Sequence, residues 1–392
     1  MTRRGRLLLG TGITLALLLV LVWSVVWDAV LSGLLLAEVA RPLTPGPLHR
    51  VTRAPAREIV TFPGGGRTMV ATLYHPAGGG AGTGIILVHG VNETGKDDPH
   101  IVWLADLLAR VGFVVLTPDF MGFKSLTLRT SDVEELVGSI QYLAGRSFSV
   151  RPGRIGLIGF SYGAGPTIIA AADLRVRDRV QFVVSFGGYY DLQDVIAFVT
   201  TGAYAFGDVR GRIRPSDYSR WIFLRYNLVL ISAAKDREIL KEIAEGKARN
   251  PAVDAGLLAG ALSPEGRAVY ALLVNQDPAR VPALVAALGP AVRNQIRFLS
   301  PSRVIQNLKA RLFIIHSDPD DYMPMTESLR LAAVLETRGN VRLVLLKGFA
   351  HVRPDFPPLT LDSLFRVYLP EGGKLFGVIF DLLRQRRDGL WG

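Results

Sequence analysis

Cysteine is missing altogether from this 392-residue chain. That absence removes disulfides, thiolate metal sites and a cysteine nucleophile in one step. Histidine is scarce, at 6 residues, and none falls in a His-Glu-x-x-His or similar cluster, so no metal centre is expected. Charge is modest too: 20% of residues are charged against 49% hydrophobic, which excludes a disordered chain. Acid is outweighed by base, with a net charge of +11 at pH 7. The basic residues are scattered among Asp and Glu, with no basic stripe interleaved with aromatics, so no nucleic-acid partner is expected. The excess fits an arginine-rich surface, or one lying against anionic lipid. Arg384-Gln385-Arg386-Arg387 comes nearest to a cluster and reads as the solvated end of a helix.

One long run lacks charge. Leu7 to Trp27 follows Arg3, Arg4 and Arg6 and contains no ionisable residue. As a helix it spans about 32 Å, enough to cross the hydrocarbon core of a bilayer. It exceeds the roughly 7–15-residue apolar core of a cleaved signal peptide. Glu38-Val39-Ala40 also puts a charge where cleavage wants a small residue. The expectation is an uncleaved anchor over residues 1–40. Asp28 and Glu38 follow the run, with no basic residue before Arg41, so the N-terminus is expected in the cytoplasm and the remaining chain on the extracytoplasmic side. Trp23 and Trp27 fit an interfacial aromatic belt. Leu31 to Ala40 continue the helix out of the membrane. Pro42, Pro45 and Pro47 then stop it and open a linker over 41–56.

From Arg57 onward, strand-like and helix-like runs alternate. Glu58–Phe62 and Met69–Tyr74 read as a hairpin joined through Gly64-Gly65-Gly66. Strands follow at Gly84–His89, Phe113–Leu116, Ile155–Phe160, Val180–Ser185, Arg311–Ile315 and Val341–Leu346. Helices fall at Ile101–Val111, Val133–Leu143, Thr326–Leu335 and Gly373–Arg384. Strands apolar on both faces and alternating with helices predict an α/β fold, a mostly parallel sheet covered on both sides. Ligands then bind at the carboxyl ends of the strands. Between residues 192 and 308 the strand rhythm stops. Helical periodicity recurs at Trp221–Ile231, Glu238–Ala244, Ala268–Val274 and Ala279–Leu288, broken by Gly and Pro. A stretch this long is no loop. It reads as a helical cap inserted into a core made of 57–191 and 309–392.

The chemistry starts at Gly159-Phe160-Ser161-Tyr162-Gly163, which ends an apolar run and opens into a small-residue helix. A serine so placed sits on a sharp strand-to-helix turn with its hydroxyl pushed out, and the flanking glycines avoid collisions across the turn. Ser161 is the candidate nucleophile. A serine hydroxyl needs a base, and a histidine oriented by an acid serves best near neutral pH. His351 follows the last strand, where an order of Ser, acid, His requires the base. The acid should follow a late strand, and Asp318, Asp320 and Asp321 all do. Asp320 is the preferred acid, with Asp191 in Gly188-Tyr189-Tyr190-Asp191 as its rival. Asp318 and Asp321 suit turn-capping roles. His89 suits structural support of its turn, and His316 packing behind the site.

With His89-Gly90 after a strand, Gly159-x-Ser161-x-Gly163 and the Asp320…His351 pair in that order, the chain resembles an α/β-hydrolase-fold serine hydrolase of esterase or lipase type from about Arg57 to Arg384. The resemblance implies an oxyanion hole built from the N–H of Tyr162 and one from the turn after Gly90, Val91 or alternatively Asn92. It implies no cofactor. The expected function is a membrane-anchored serine hydrolase cleaving carboxylic, lipid-like esters through an acyl-enzyme. The alternatives on the same fold are thioesterase, peptidase, acyltransferase and a non-catalytic binding protein.

Overall fold

A computed structural model describes residues 22–386, except residue 216 and the side chains of residues 217–219 and 222. The expected span over 7–21, the arginines before it and residues 387–392 lie outside the described residues.

Ten strands matter to the architecture. They are β1 (Ala56–Gly64), β2 (Arg67–His75), β3 (Gly82–Val88), β4 (Val114–Pro118), β5 (Val150–Phe160), β6 (Val180–Phe186), β7 (Ala203–Phe206), β8 (Val209–Arg212), β9 (Arg311–Ser317) and β10 (Val341–Leu346). Eight of them form one sheet in the order β1-β2-β4-β3-β5-β6-β9-β10. The β1–β2 hairpin is antiparallel and β2 pairs antiparallel with β4. Every pairing from β4 through β10 is parallel. Alternation explains why the parallel strands read as unbroken apolar runs. Ile86, Val88, Leu157, Val183 and Ile314 feed the core on one face. Ile85, Leu87, Ile158, Val184 and Ile315 feed the core on the other.

The N-terminal helix runs over Val22–Val39 and belongs to the second of these cores. Its first turns are exposed and apolar: Val22, Trp23, Val25, Val26 and Trp27 all face outward. From Asp28 onward it is docked. Leu31 and Leu35 share one buried core with Leu375, Val378 and Ile379 of the C-terminal helix Leu369–Arg384. Asp28 is buried and paired with Arg386, which also donates to the Val111 carbonyl. Gln385 is likewise buried and its carbonyl accepts from Thr83 Oγ1 at 3.1 Å. Gln385 and Arg386 are therefore tied into the domain, where a solvated helix end was expected, while Arg384 is exposed. The acids presumed to flank the membrane serve the fold instead, because burial demands a partner for each. Glu38 is fully buried and accepts from the N–H groups of Gly46 and Leu48 at 2.9–3.1 Å. These bonds fold the expected linker back onto the domain, where Pro47–Val51 forms a short helix around the buried Leu48.

Residues 192–308 hold the predicted helices, at Asp217–Asn227, Ala234–Arg249, Pro264–Val274 and Val281–Ala286. They also hold helices at Leu192–Thr201 and Pro290–Phe298, and the β7–β8 hairpin, which the expectation of a strandless insertion missed. The hairpin is four residues per strand with half-exposed side chains, too short to show an alternating pattern. The segment carries its own apolar core, centred on Trp221, Leu240, Ile243 and Leu272.

Helix Ser131–Ala144 carries a buried acid, Asp132, whose Oδ2 accepts from the Arg129 N–H at 3.0 Å. Burial pushes its carboxyl up to about 8, against the weaker pull of that bond. The folded protein then holds a proton that the unfolded chain releases near pH 4, so stability falls as pH rises between about 4 and 8. Asp132→Asn should flatten that part of the profile, read as the difference in Tm between about pH 5 and pH 8.

Candidate active site

β5 ends at Phe160, and the chain turns at once into a 3-10 turn, Ser161–Gly163, and the helix Ala164–Ala171. Ser161 sits at φ +53°, a region that a residue with a β-carbon adopts only when its surroundings hold it there. The glycines make that possible. A β-carbon on Gly163 would stand 2.4 Å from the His89 carbonyl oxygen, and one on Gly159 would stand 2.8 Å from Ala164 Cα. Either contact is far inside van der Waals distance, so both positions admit only glycine. Thr167 Oγ1 donates to the Gly163 carbonyl at 2.7 Å and ties the turn to the helix.

His351 follows β10 through the turn Lys347-Gly348 and also has a positive φ, +57°. Its Nε2 lies 2.7 Å from Ser161 Oγ and its Nδ1 lies 2.6 Å from Asp320 Oδ2. Asp320 follows β9 and is buried. Burial opposes its ionisation, but the bond and charge of His351 outweigh it and hold the carboxyl below the ordinary carboxylate range. Ser317 Oγ donates to Oδ2 at 2.9 Å, while the N–H groups of Tyr322 and Met323 donate to Oδ1 at 2.9 Å each. Asp320 therefore caps its own turn, the role expected of Asp318 and Asp321. One carboxylate oxygen is left to the turn and the other to the histidine. Asp321 instead lines the cavity beside Ser161.

The rival acid is occupied elsewhere. Asp191 caps the helix Leu192–Thr201 through the Gln193 N–H at 2.9 Å and accepts from Ser302 Oγ at 2.7 Å. Its own N–H and that of Tyr190 donate to the buried Glu327, whose carboxyl is pushed up to about 8 by that burial.

The turn after β3 is held from behind. His89 is buried, with Nδ1 2.7 Å from the Gly90 carbonyl oxygen and its ring flanked by Phe120 and Phe123. Burial also pushes its pKa down, which favours the neutral ring. Gly90 abuts the serine: a β-carbon there would come within 3.3 Å of Ser161 Cβ. Val91, Asn92 and Tyr162 line the same cavity as Ser161. Asn92 is engaged locally, its Oδ1 accepting from the Gly95 N–H at 2.6 Å and from Thr94 Oγ1 at 2.9 Å.

Three groups around this centre had not been singled out. Ser317 braces Asp320, as above. Tyr322 stacks on the His351 ring, centroids 5.2 Å apart. Residues of the N-terminal helix and the loop after it, Leu35, Val39 and Pro42, reach the cavity wall. The only signal in the first two cases is position near a strand end; in the third there is none short of the fold. His316 lies behind the acid as expected, fully buried, with Nδ1 2.7 Å from Ser328 Oγ and Nε2 3.0 Å from the Met323 carbonyl oxygen.

The cavity at Ser161 measures about 940 Å³ and is lined mainly by Leu, Ile, Val and Phe. That is near the upper end of the roughly 300–1,000 Å³ usual for small-molecule sites. Among the described residues no group of His, Asp and Glu could hold a metal ion. What the arrangement can do chemically is relay a proton from a serine hydroxyl to an imidazole backed by a carboxylate, on the wall of an apolar chamber.

Comparisons with known proteins agree with this architecture. The acylaminoacyl peptidase of Pyrococcus horikoshii superposes with a TM-score of 0.51 at 16% identity, covering 86% of this chain and 43% of that one. A puromycin-hydrolyzing peptidase of Mycobacterium tuberculosis gives 0.50 at 16% identity, covering 88% and 41%. An esterase of Pyrobaculum calidifontis gives 0.46 at 19% identity, covering 90% of both chains. The chain thus spans less than half the length of the two peptidases, and the likeness is one of fold. No curated protein matches the sequence. The model of the alpha/beta hydrolase family matches residues 85–357, from β3 through the loop beyond His351, and with that span the chain belongs to the alpha/beta hydrolase family.

Proposed function

We propose that the protein is a membrane-anchored serine hydrolase that cleaves carboxylic, lipid-like esters through an acyl-enzyme. The observation that carries this reading is the continuous path from Ser161 Oγ to His351 Nε2 at 2.7 Å and from His351 Nδ1 to Asp320 Oδ2 at 2.6 Å. Ser161 Oγ attacks the ester carbonyl carbon as its proton passes to His351 Nε2. The Nδ1–H of His351 donates to Asp320, which stabilises the imidazolium. The tetrahedral oxyanion is received by the backbone N–H groups of Tyr162 and Val91, each donor contributing about 3 kcal/mol to the transition state. Collapse returns the Nε2 proton to the leaving alcohol and leaves the acyl group on Oγ. Water, deprotonated by the same nitrogen, then releases the acid.

Residues 1–40 carry the anchor, whose part from Asp28 onward is docked on the domain; 41–56 fold back against that domain, 57–191 and 309–392 form the catalytic core, and 192–308 the cap. The membrane assignment rests on the apolar run before Asp28 and on the outward-facing Val22, Trp23, Val25, Val26 and Trp27. The arginines before the run put the catalytic domain on the extracytoplasmic side. The ester preference rests on the apolar lining of the cavity, which offers few polar partners for a peptide backbone.

A fluorophosphonate probe should label the protein, and Ser161→Ala should abolish the label; labelling that persists would remove Ser161 from the role of nucleophile. Asp320→Asn should lower kcat by a factor on the order of 10⁴. Asp191→Asn should leave kcat within a few-fold, and the reverse ranking in a steady-state assay would transfer the acid's role to Asp191.

A further inference from the structure

The cavity at Ser161 extends in two directions. One part lies under the segment 192–308, bounded by Val195, Leu224, Leu272 and Ile296. The other lies on the opposite side of Ser161, against the face of the sheet that carries Ile158, Val184 and Ile315. Three helices close this second lobe. The helix Pro99–Arg110 contributes Ile101, Leu104 and Leu108, and the C-terminal helix contributes Leu375, Ile379 and Leu382. The N-terminal helix contributes Leu35 and Val39. These side chains are aliphatic, with Trp103 of the helix Pro99–Arg110 beside them, and Leu35, Leu108, Ile379 and Leu382 are themselves nearly fully buried.

The lobe has a direction. Leu375 to Leu382 is about 10 Å of helix axis, and Ile101 to Leu108 is the same. The C-terminal helix runs from the active-site edge, where the Lys347 N–H donates to Glu371 at 3.0 Å, to the strand-start edge, where Arg386 meets Val111 and Asp28. The lobe therefore descends from Ser161 along the N-terminal helix, toward the edge where the exposed turn Val22–Trp27 leaves the domain. That turn lies at the end of the sheet remote from Ser161, so the anchor does not itself press the serine against a bilayer.

We propose that this lobe is a subsite for a long, unbranched acyl chain, and that the N-terminal helix is one of its walls. The inference rests on the serine-hydrolase reading and names its substrate class: an ester of a long-chain fatty acid. An apolar lobe of that length excludes charged and peptide groups, which would lose hydration with nothing to replace it. It is the acyl chain and not the alcohol, because the acyl group stays on Ser161 through both steps while the alcohol must leave after the first. A chamber closed by core helices suits the group that stays. The part under the inserted segment is left to the alcohol.

The test uses the full chain in nanodiscs of diether phosphatidylcholine, which offers no carboxylic ester to cleave. Leu35→Trp and Ile379→Trp, with Leu35→Phe as a milder filling, shorten the lobe. The ratio of kcat/KM for the palmitoyl over the butyryl ester of p-nitrophenol should fall roughly 10-fold or more, the factor carried by denying burial to about two methylenes. An unchanged ratio in variants that retain the wild-type Tm overturns the proposal. Binding of dansyl-undecanoic acid to Ser161→Ala, displaced by palmitate and not by butyrate, supplies a readout free of catalysis. Fluorescence titration should show this binding weakened by Leu35→Phe. Absence of binding while the wild type still hydrolyses butyryl esters overturns the acyl subsite and leaves the hydrolase reading standing. Binding without fluorophosphonate labelling of the wild type does the opposite.

Discussion

Everything at the candidate site depends on one crowded turn. Ser161 is held at φ +53° in a turn where a β-carbon on residue 159 would strike the following helix at Ala164 and one on residue 163 would strike the His89 carbonyl. The strain is borne by packing on all sides: Thr167 ties the helix to the turn, and Phe123 packs edge-on against Tyr162 at 5.5 Å. A serine on an ordinary strand or helix would lie flat among its neighbours. Here the backbone geometry lifts Oγ out of the sheet toward the cavity that Tyr162 also lines.

The relay partners reach that hydroxyl because parallel strands deliver their carboxyl ends to one edge. β5, β9 and β10 present Ser161, Asp320 and His351 at the ends of three strands, although the last two lie far along the chain from the first. Each is then fixed by bonds that have nothing to do with substrate. Asp320 spends one oxygen on two turn N–H groups and shares the other between Ser317 and His351. That division keeps the carboxylate ionised inside the protein despite its burial, since a buried charge survives only when its lone pairs are satisfied.

The N-terminal helix joins an apolar run to the chamber. A segment whose composition reads only as a membrane span turns, at Asp28, into a packed element of the domain, bound through a buried ion pair to the far end of the chain. Such a pair stabilises little against well-packed apolar residues but strongly disfavours any arrangement that leaves either charge alone. It thereby fixes the register of the helix and, with it, which of its side chains face the cavity.

Much of this was legible in the residues themselves. Apolar runs bounded by Gly and Pro located the strands of the sheet within a few positions, because a strand buried on both faces has no other composition. Gly159-x-Ser161-x-Gly163 announced its turn, since only glycine tolerates those contacts. The β7–β8 hairpin escaped, being too short and too exposed to carry a pattern, and the solvated helix end expected at Arg384–Arg387 proved to be docked at Gln385 and Arg386. Local sequence determines what depends on neighbours in the chain: periodicity, turn chemistry and the glycines of the serine turn. Which acid meets His351, where Asp28 and Glu38 find their partners, and which helices wall the chamber are contacts between residues tens to hundreds of positions apart. Those only the tertiary structure decided, because their energies exist only once the sheet has brought the segments together.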